Sequence, residues 1–543
     1  MEATGETMSY LSKHNIPQTL DAAVKNLLAV QPEDPKAFLA QQLAAVGTKP
    51  APPIPDVTVM HTPQSRETSI ICTIGPKVAN AEMLGKLMDT GMDVTRMNFS
   101  HGTYEWFEGV ISSKKEAEAS RPGKWVALAL DTKGPEIRTG LMSGGEITVI
   151  PGSEVVVTTN EEFKTSGTAS RIYVDYKDLP TTVKPGGLIY MDDGLLGLKV
   201  IECSGMDVKC VAINGATLSD RRGVNLPNAR VTLPAVSEKD KADITFGCKN
   251  GIDVIFASFI RTAAQVQEIK DLLKSLDASH VMVFSKIENQ EGIDNFDEIL
   301  KATDGVMVAR GDLGIEIPAQ KVFTAQKMLI RKCNIAAKPV ICATQMLESM
   351  IVNPRPTRAE VSDVGNAIAD GADCVMLSGE TAKGKWPLEA VSMMCDVCLE
   401  AEAMFDGDGI FRYMKDITPR PISSMEAMAR SAVSLSFDED FAMIIVVSEA
   451  GTTQKYVAKY RPRCPIFVVT NKPHIARQGV FLRGVISHVV ESFGNVNELL
   501  ELACNVAKTK GIAQRGQKAI AVYDSDLSDG IEDATTCRVI EIR

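Results

Sequence analysis

The sequence predicts an α/β protein built on a parallel (β/α)8 barrel, with an all-β domain inserted in one barrel loop, an α/β domain after it and a two-helix module before it. Three observations predict this. Short β-branched runs alternate with helix-length segments: Ser69-Ile70-Ile71-Cys72-Thr73, Val126 to Leu130, Val254 to Ala257, Val281 to Ser285, Gly305 to Ala309, Pro339 to Ala343 and Cys374 to Leu377. Strands spaced so imply βαβ units and a parallel sheet, and at least seven repeats point to a closed barrel. Between about Pro135 and Val236 the rhythm changes to closely spaced strand and turn signals with little helical period, as in Val155-Val156-Val157, Pro185-Gly186-Gly187 and Asp192-Asp193-Gly194. After about Gly407, strand and helix alternate again through Met443 to Val447 and Ile466 to Thr470.

Composition agrees with several folded domains. The chain has 543 residues, 45% hydrophobic and 23% charged, against roughly 150 residues for a usual domain. Its mean hydropathy is near zero, ordinary for a globular protein and wrong for a disordered or fibrous one. The formal charge of -11, from 58 Lys plus Arg against 69 Asp plus Glu, argues against a nucleic-acid partner. Any anionic ligand must be held by a local basic cluster. No window approaches 18 uncharged apolar residues, so no membrane span is expected. The opening MEATGETMSY has no basic stretch followed by an apolar one, so secretion is not expected and the twelve cysteines read as reduced thiols. Cys395-x-x-Cys398 lacks a second pair or neighbouring His ligands and reads as core packing on a helix.

The elements follow in order. Residues 1–43 form a separate unit: Ile16-Pro17 opens a helix whose Leu20, Val24, Leu27 and Leu28 make one apolar stripe, and Asp34-Pro35 caps and starts a second helix carrying Phe38, Leu39 and Leu43. Two short helices cannot bury both faces alone, so a dimeric four-helix bundle is expected. Residues 44–65 are Pro-rich and aperiodic, a semi-extended linker. The barrel takes residues 66–134 and 237–406, the β-rich insertion 135–236, and the C-terminal α/β domain 407–543.

In a parallel barrel, polar residues at strand C-terminal ends point into the active-site mouth. Four such clusters stand here: Arg96-Met97-Asn98-Phe99-Ser100-His101; Asp131-Thr132-Lys133-Gly134-Pro135-Glu136-Ile137-Arg138; Lys286-Ile287-Glu288-Asn289; and Arg310-Gly311-Asp312. Lys286 and Glu288 are two residues apart, on one side of an extended chain. Gly311 lets a backbone N–H approach a ligand closely. One cluster alone would read as a satisfied salt bridge; four at strand ends favour a shared site. Glu288 and Asp312 suit a hard cation with oxygen ligands, most naturally magnesium, while Lys286, Arg96 and Arg138 suit phosphate. Thr344, ending the next strand, could position a carboxylate or a water.

These motifs, with Ile70-Ile71-Cys72-Thr73-Ile74-Gly75-Pro76, Gly223-Val224-Asn225-Leu226-Pro227, Pro339 to Met350 and Met376 to Gly384, stand in the order of the pyruvate kinase family, which the chain resembles from about Arg66 to its C-terminus. The resemblance implies a barrel, a mobile β-rich lid and a C-terminal α/β domain. It implies transfer of the phosphoryl group of phosphoenolpyruvate to ADP, giving ATP and pyruvate, with Mg2+ (or Mn2+) and K+. By this match Lys286, Arg96 and Thr344 are catalytic. Arg96, Lys286, Gly311, Asp312 and Thr344 receive the substrate, and Glu288 and Asp312 hold magnesium. Arg96, Asn98, His101, Arg138 and Arg222 meet the nucleotide. Asn98, Ser100, Asp131 and Thr132 match the monovalent-cation site, and Glu136 stands where potassium-independent members carry Lys, so potassium dependence is expected. Arg222 stands where Lys is common before Gly223, a fork in place of a point charge.

Allosteric members bind a sugar phosphate between two C-terminal loops. Ser448 to Thr453 keeps hydroxyls, but Asp524 to Asp533 carries five acidic residues and lacks the family's Trp and Arg, so fructose bisphosphate is not expected to activate. A fall in half-saturating phosphoenolpyruvate on adding it would contradict this. Tyr10-Leu11-x-x-His14-x-Ile16-Pro17, Leu27-Leu28 and Pro32 to Leu39 resemble the RII-type dimerisation-docking domain of the cAMP-dependent kinase regulatory subunit. That implies an apolar groove for an amphipathic helix of an anchoring protein, and a cytoplasmic enzyme docked at a cilium or flagellum. The family resemblance further implies a homotetramer. Two other readings compete: a catalytically impaired scaffold of the same fold, which would have lost Lys286, Glu288, Asp312 or Thr344, and a P-loop nucleotide binder at Gly379 to Lys385, where Trp386 replaces the needed hydroxyl.

Overall fold

Eight parallel strands close into a barrel. In the computed structural model, which describes residues 16–30, 32, 34–39, 66–234, 236–524 and 536–543, the chain begins the barrel with β1 (Ser69–Thr73), β2 (Met92–Asn98) and β3 (Ala127–Asp131). Nine strands of the insertion follow: β4 (Ile137–Arg138), β5 (Glu146–Val149), β6 (Glu154–Thr158), β7 (Arg171–Tyr173), β8 (Leu188–Met191), β9 (Leu196–Ser204), β10 (Asp207–Ala212), β11 (Ala216–Ser219) and β12 (Gly223–Asn225). The barrel then resumes with β13 (Val254–Ala257), β14 (Met282–Ile287), β15 (Gly305–Ala309), β16 (Val340–Ala343) and β17 (Cys374–Leu377). β17 returns to β1, with Ser69 opposite Cys374, and the order around the barrel is that of the sequence.

The seven expected barrel strands are all present. The eighth, β2, carries Asp93, Thr95, Arg96 and Asn98, so it lacks the unbroken apolar run that marks a strand buried on both faces. Its charges are answered inside the fold: Asp93 accepts from Arg66 and from the Ile70 N–H. The barrel interior is filled by Ile71, Val94, Ala129, Phe256, Phe284 and Met307. Phe481, from the C-terminal domain, joins that cluster with its ring 5.0 Å from Phe284 and 6.2 Å from Phe256. A second, larger cluster lies between the strands and the outer helices.

The insertion forms a seven-stranded sheet in the order β4-β12-β8-β9-β10-β6-β7 and a two-stranded ribbon of β5 and β11, with its own apolar core. The Asp192-Asp193-Gly194 turn expected from sequence joins β8 to β9 with three successive positive φ angles of 55, 53 and 85°. The C-terminal domain adds β18 (Phe441–Val447), β19 (Ile466–Thr470), β20 (Val485–Val489), β21 (Lys518–Tyr523) and β22 (Thr536–Glu541) in one sheet, parallel except for the last pair. Cys395 and Cys398 sit as free thiols on the helix Pro387–Ala403, half-buried and buried.

Met1–Met60 and His61–Arg543 are separate compact units. In the first, the helix Ile16–Val30 leaves Leu20, Val24 and Leu28 exposed by 45%, 44% and 66% and buries Ala23. Residues 35–39 are helical, capped as expected by Asp34, whose carboxylate accepts from the Lys36 and Ala37 N–H groups at 3.1 and 3.0 Å. The Tyr10 to His14 motif, Leu43, the linker 44–65 and the acidic loop from Ser525 to Asp533 lie outside the described residues.

Candidate active site

The strand ends bring four of the sequence clusters to one mouth. Arg96 near the end of β2 donates from Nε to Asp131 at 2.7 Å and from Nη1 to the Thr73 hydroxyl at 2.7 Å. Asp131 ends β3 and also accepts from Lys286 Nζ at 3.0 Å. Lys286, near the end of β14, lies 3.0 Å from Glu288, so the two residues share one side of the chain as their spacing requires. Glu288 is fixed in turn by the Phe259 N–H at 2.5 Å. All four charged side chains are buried, Asp131 and Glu288 to within 1%.

A buried charge persists only when paired. Burial pushes the Asp131 carboxyl up, but the Arg96 and Lys286 cations more than reverse this and hold it below the usual range. Burial also works against the Lys286 ammonium, yet Asp131 and Glu288 raise it above an ordinary lysine. Glu288 and Asp312 move the other way. Burial raises both, Lys286 opposes it, and the carboxylates around them add to it, Asp312 beside Glu288 and Asp193 and Glu136 beside Asp312. Negative charge is in excess here, which suits a hard divalent cation. Among the described residues no group of three or more His, Cys, Asp or Glu side chains is gathered to hold a metal. A carboxylate pair completed by substrate oxygens is how magnesium is commonly held.

Thr344 follows β16. Its hydroxyl accepts from the Gly311 N–H at 2.7 Å and donates to the Ala343 carbonyl at 2.6 Å. Gly311 and Asp312 lie in the first turn of the helix Arg310–Glu316. Asp312 and Asp193 of the insertion border two spaces: a cavity of about 250 Å3 shared with Glu136, Asn225 and Glu316, and a cleft of about 650 Å3 shared with Arg310, Gly311 and Gln345.

Asn98 and Asp131 pair across β2 and β3. The Asn98 side chain accepts from the Ser100 N–H at 3.1 Å, and the Thr132 carbonyl accepts from Ser258 at 2.6 Å. An amide, a hydroxyl, a carbonyl and one carboxylate are oxygens of low total charge, which fits a monovalent cation. Arg138 and Arg222 meet on the lid, where Gly223 opposes Arg138. Arg138 donates to Glu136 at 2.8 Å, so Glu136 already has a cationic partner, and Arg222 lies 3.3 Å from Asp192. His101 is exposed at the start of the loop after β2.

Sequence reasoning missed Ser258, just past β13, which accepts from Lys286 at 2.7 Å and ties Asp131 and Thr132 to it. The strand-end rule applied to Val254 to Ala257 would have found it. Thr73 escapes because it stands in no charged cluster, and Asp193 because Asp192-Asp193-Gly194 reads as a turn. The Gly379 to Lys385 stretch is no phosphate cradle: the Lys383, Gly384 and Lys385 N–H groups donate to Gly379, Gly379 and Ile351 carbonyls. The Glu380 carboxylate is buried against the Leu347 and Ser378 N–H groups.

Family models separate the readings that geometry leaves open. Residues 65–391 match the pyruvate kinase barrel domain and residues 426–540 the pyruvate kinase alpha/beta domain. The chain belongs to the pyruvate kinase family. It is 48% identical to a pyruvate kinase of Candida albicans over 484 residues, 88% of this chain and 95% of that one. It is 52% identical to one of Hypocrea jecorina over 422 residues, 77% and 78% of the two chains. A crystal structure of a pyruvate kinase from Cryptosporidium parvum superposes with a TM-score of 0.84 at 40% identity, covering 88% of this chain and 96% of that one. Membership makes the chain a phosphotransferase, and the impaired-scaffold reading is not favoured: Lys286, Glu288, Asp312 and Thr344 are all in place.

Proposed function

We propose that the chain transfers the phosphoryl group of phosphoenolpyruvate to ADP, with Lys286, Arg96 and Thr344 as its catalytic residues. The observation that carries this reading is a buried ammonium, Lys286, held between Asp131 and Glu288 beside the carboxylate of Asp312. The reaction unites two anions, so alignment and charge neutralisation supply most of the catalysis. Lys286 contacts the phosphoryl group in transfer and stabilises the enolate left behind, and Arg96 contacts the same phosphoryl group. The Gly311 and Asp312 backbone, with Thr344, receives the substrate carboxylate, so the Gly311 N–H exchanges its present bond to the Thr344 hydroxyl for one to substrate. Thr344 belongs to the path that delivers a proton to carbon 3 of the enolate.

Glu288 and Asp312 would hold Mg2+ (or Mn2+), which supplies Lewis-acid neutralisation of phosphate and enolate oxygens. Asn98, Ser100, Asp131 and the Thr132 carbonyl would hold K+. Arg138 and Arg222 on the lid, with Arg96, Asn98 and His101, would meet the nucleotide. The limits 66–134, 135–236, 237–406 and 407–543 serve this division between barrel, lid and C-terminal domain.

A coupled assay with lactate dehydrogenase, phosphoenolpyruvate, ADP and Mg2+ tests the reading. Activity is expected with K+, very little with Na+ or Li+ alone, and for Lys286→Met a loss of at least about 10²- to 10³-fold, the cost of removing one preorganised charge donor. Full activity of that variant would overturn the assignment.

For residues 1–43 we infer a dimerising and docking module for an amphipathic helix of an anchoring protein. Support comes from the exposed Leu20, Val24 and Leu28 stripe and the Asp34 cap. The assembly we propose is a homotetramer in the cytoplasm, held at a cilium or flagellum through this module.

A further inference from the structure

The turn that carries Thr344 is bent into a conformation its residues resist. Thr344 and Gln345 have φ of +68 and +57°, the left-handed region that is uncommon for any residue with a side chain and an outlier for a β-branched one. Such backbone persists only where its surroundings over-determine it. One side chain does most of that here. Arg310 donates from Nη2 to the Thr344 carbonyl at 2.8 Å, contacts Met346 Sδ at 2.8 Å, and donates from Nε to the Ala343 carbonyl at 3.3 Å. Its other face is anchored by Asp363 at 2.8 Å and Gln326 at 3.3 Å. Before substrate binds, the next residue adds a contact, since the Gly311 N–H donates to the Thr344 hydroxyl at 2.7 Å. The Arg310 side chain therefore fixes the peptide of Thr344, and with it the direction of the side chain, whether or not substrate has taken the Gly311 N–H.

We propose that Arg310 is a positioning residue: its guanidinium clamps the left-handed Thr344–Gln345 turn and so aims the Thr344 hydroxyl at the carbon to be protonated. The proposal rests on the phosphotransfer reading above. It also explains why a planar fork is needed: Arg310 reaches two successive carbonyls and a sulfur on one edge while a carboxylate holds the other, which a lysine point charge cannot do.

The test uses the full chain with Mg2+ and K+, comparing Arg310→Lys, Thr344→Val and the double variant. Arg310→Lys is expected to lower kcat by about 10²-fold, the scale of a small misplacement of a reacting group, with KM for phosphoenolpyruvate within a few-fold and little change in the thermal midpoint. Because both residues act as a unit, the double variant should be no slower than Thr344→Val alone. The solvent deuterium isotope effect on kcat should rise in Arg310→Lys to the value of Thr344→Val, a change that a purely structural role would not produce. Arg310→Gln, run in parallel, serves the same comparison if the lysine variant does not fold. Additive losses in the double variant, an unchanged isotope effect or a full kcat in Arg310→Lys would overturn the proposal. A folded wild-type chain inactive with phosphoenolpyruvate and ADP would overturn the functional reading, and this inference with it.

Discussion

At the scale of single residues, the molecule spends buried charge both at its site and in its frame. Lys338 is a framing example. Its ammonium donates to the Leu300, Lys301 and Thr303 carbonyls at 2.5, 3.0 and 2.6 Å, closing the end of the helix Phe296–Ala302. Burial pulls its pKa down to about 8, against about 10.4 in an unfolded chain. Between those values the unfolded state binds more protons, so this residue makes stability rise with pH across that window and leaves it flat below about 8. Lys338→Met, which strands the three carbonyls, is expected to cost about 2 kcal/mol and to lose that alkaline rise. Denaturant unfolding of both proteins on either side of pH 8 checks it. Residues of this kind are hard to read from sequence. Lys286 and Glu288 were legible because a two-residue spacing on a strand dictates a shared face, whereas Lys338 meets carbonyls 35 to 38 positions away.

At the scale of elements, strands aim the site and the inserted sheet borders it. Arg222 sits beside Gly223 at the start of β12, with its guanidinium on Ser219 and Asp192. If it meets nucleotide phosphate, Arg222→Ala removes one charge-assisted hydrogen bond, worth about 1.5–3 kcal/mol. KM for ADP should then rise about 10-fold or more, with KM for phosphoenolpyruvate nearly unchanged in the coupled assay. At the other end of the barrel, Phe481 is wholly buried against Phe256 and Phe284. Phe481→Ala should cost about 3–5 kcal/mol, read as a lower unfolding midpoint, while KM for either substrate stays put because the cavity opens away from the strand C-terminal ends. β2 shows why one element escaped the sequence pattern. A strand whose charges are answered by Arg66 and Asp131 from elsewhere in the chain does not look hydrophobic until those partners are known.

At the scale of the whole molecule, the chain joins an enzyme to a separate small unit. Deleting residues 1–43 should leave kcat and KM within about two-fold, since Met1–Met60 is a compact unit by itself, and should abolish localisation at a cilium or flagellum, seen by fluorescence of tagged full-length and truncated chains. Unchanged localisation would defeat the docking reading. The alternation of strands and helices, the change of rhythm at the lid and the strand-end clusters were determined by the sequence alone, because periodicity and local spacing are short-range properties. Only the tertiary structure decided that Ser258 joins Lys286, that Phe481 closes the barrel floor and that Arg310 holds Thr344 in a left-handed turn. Each of these depends on residues brought together by barrel closure and domain packing, and no local pattern in a chain records a partner that only closure supplies.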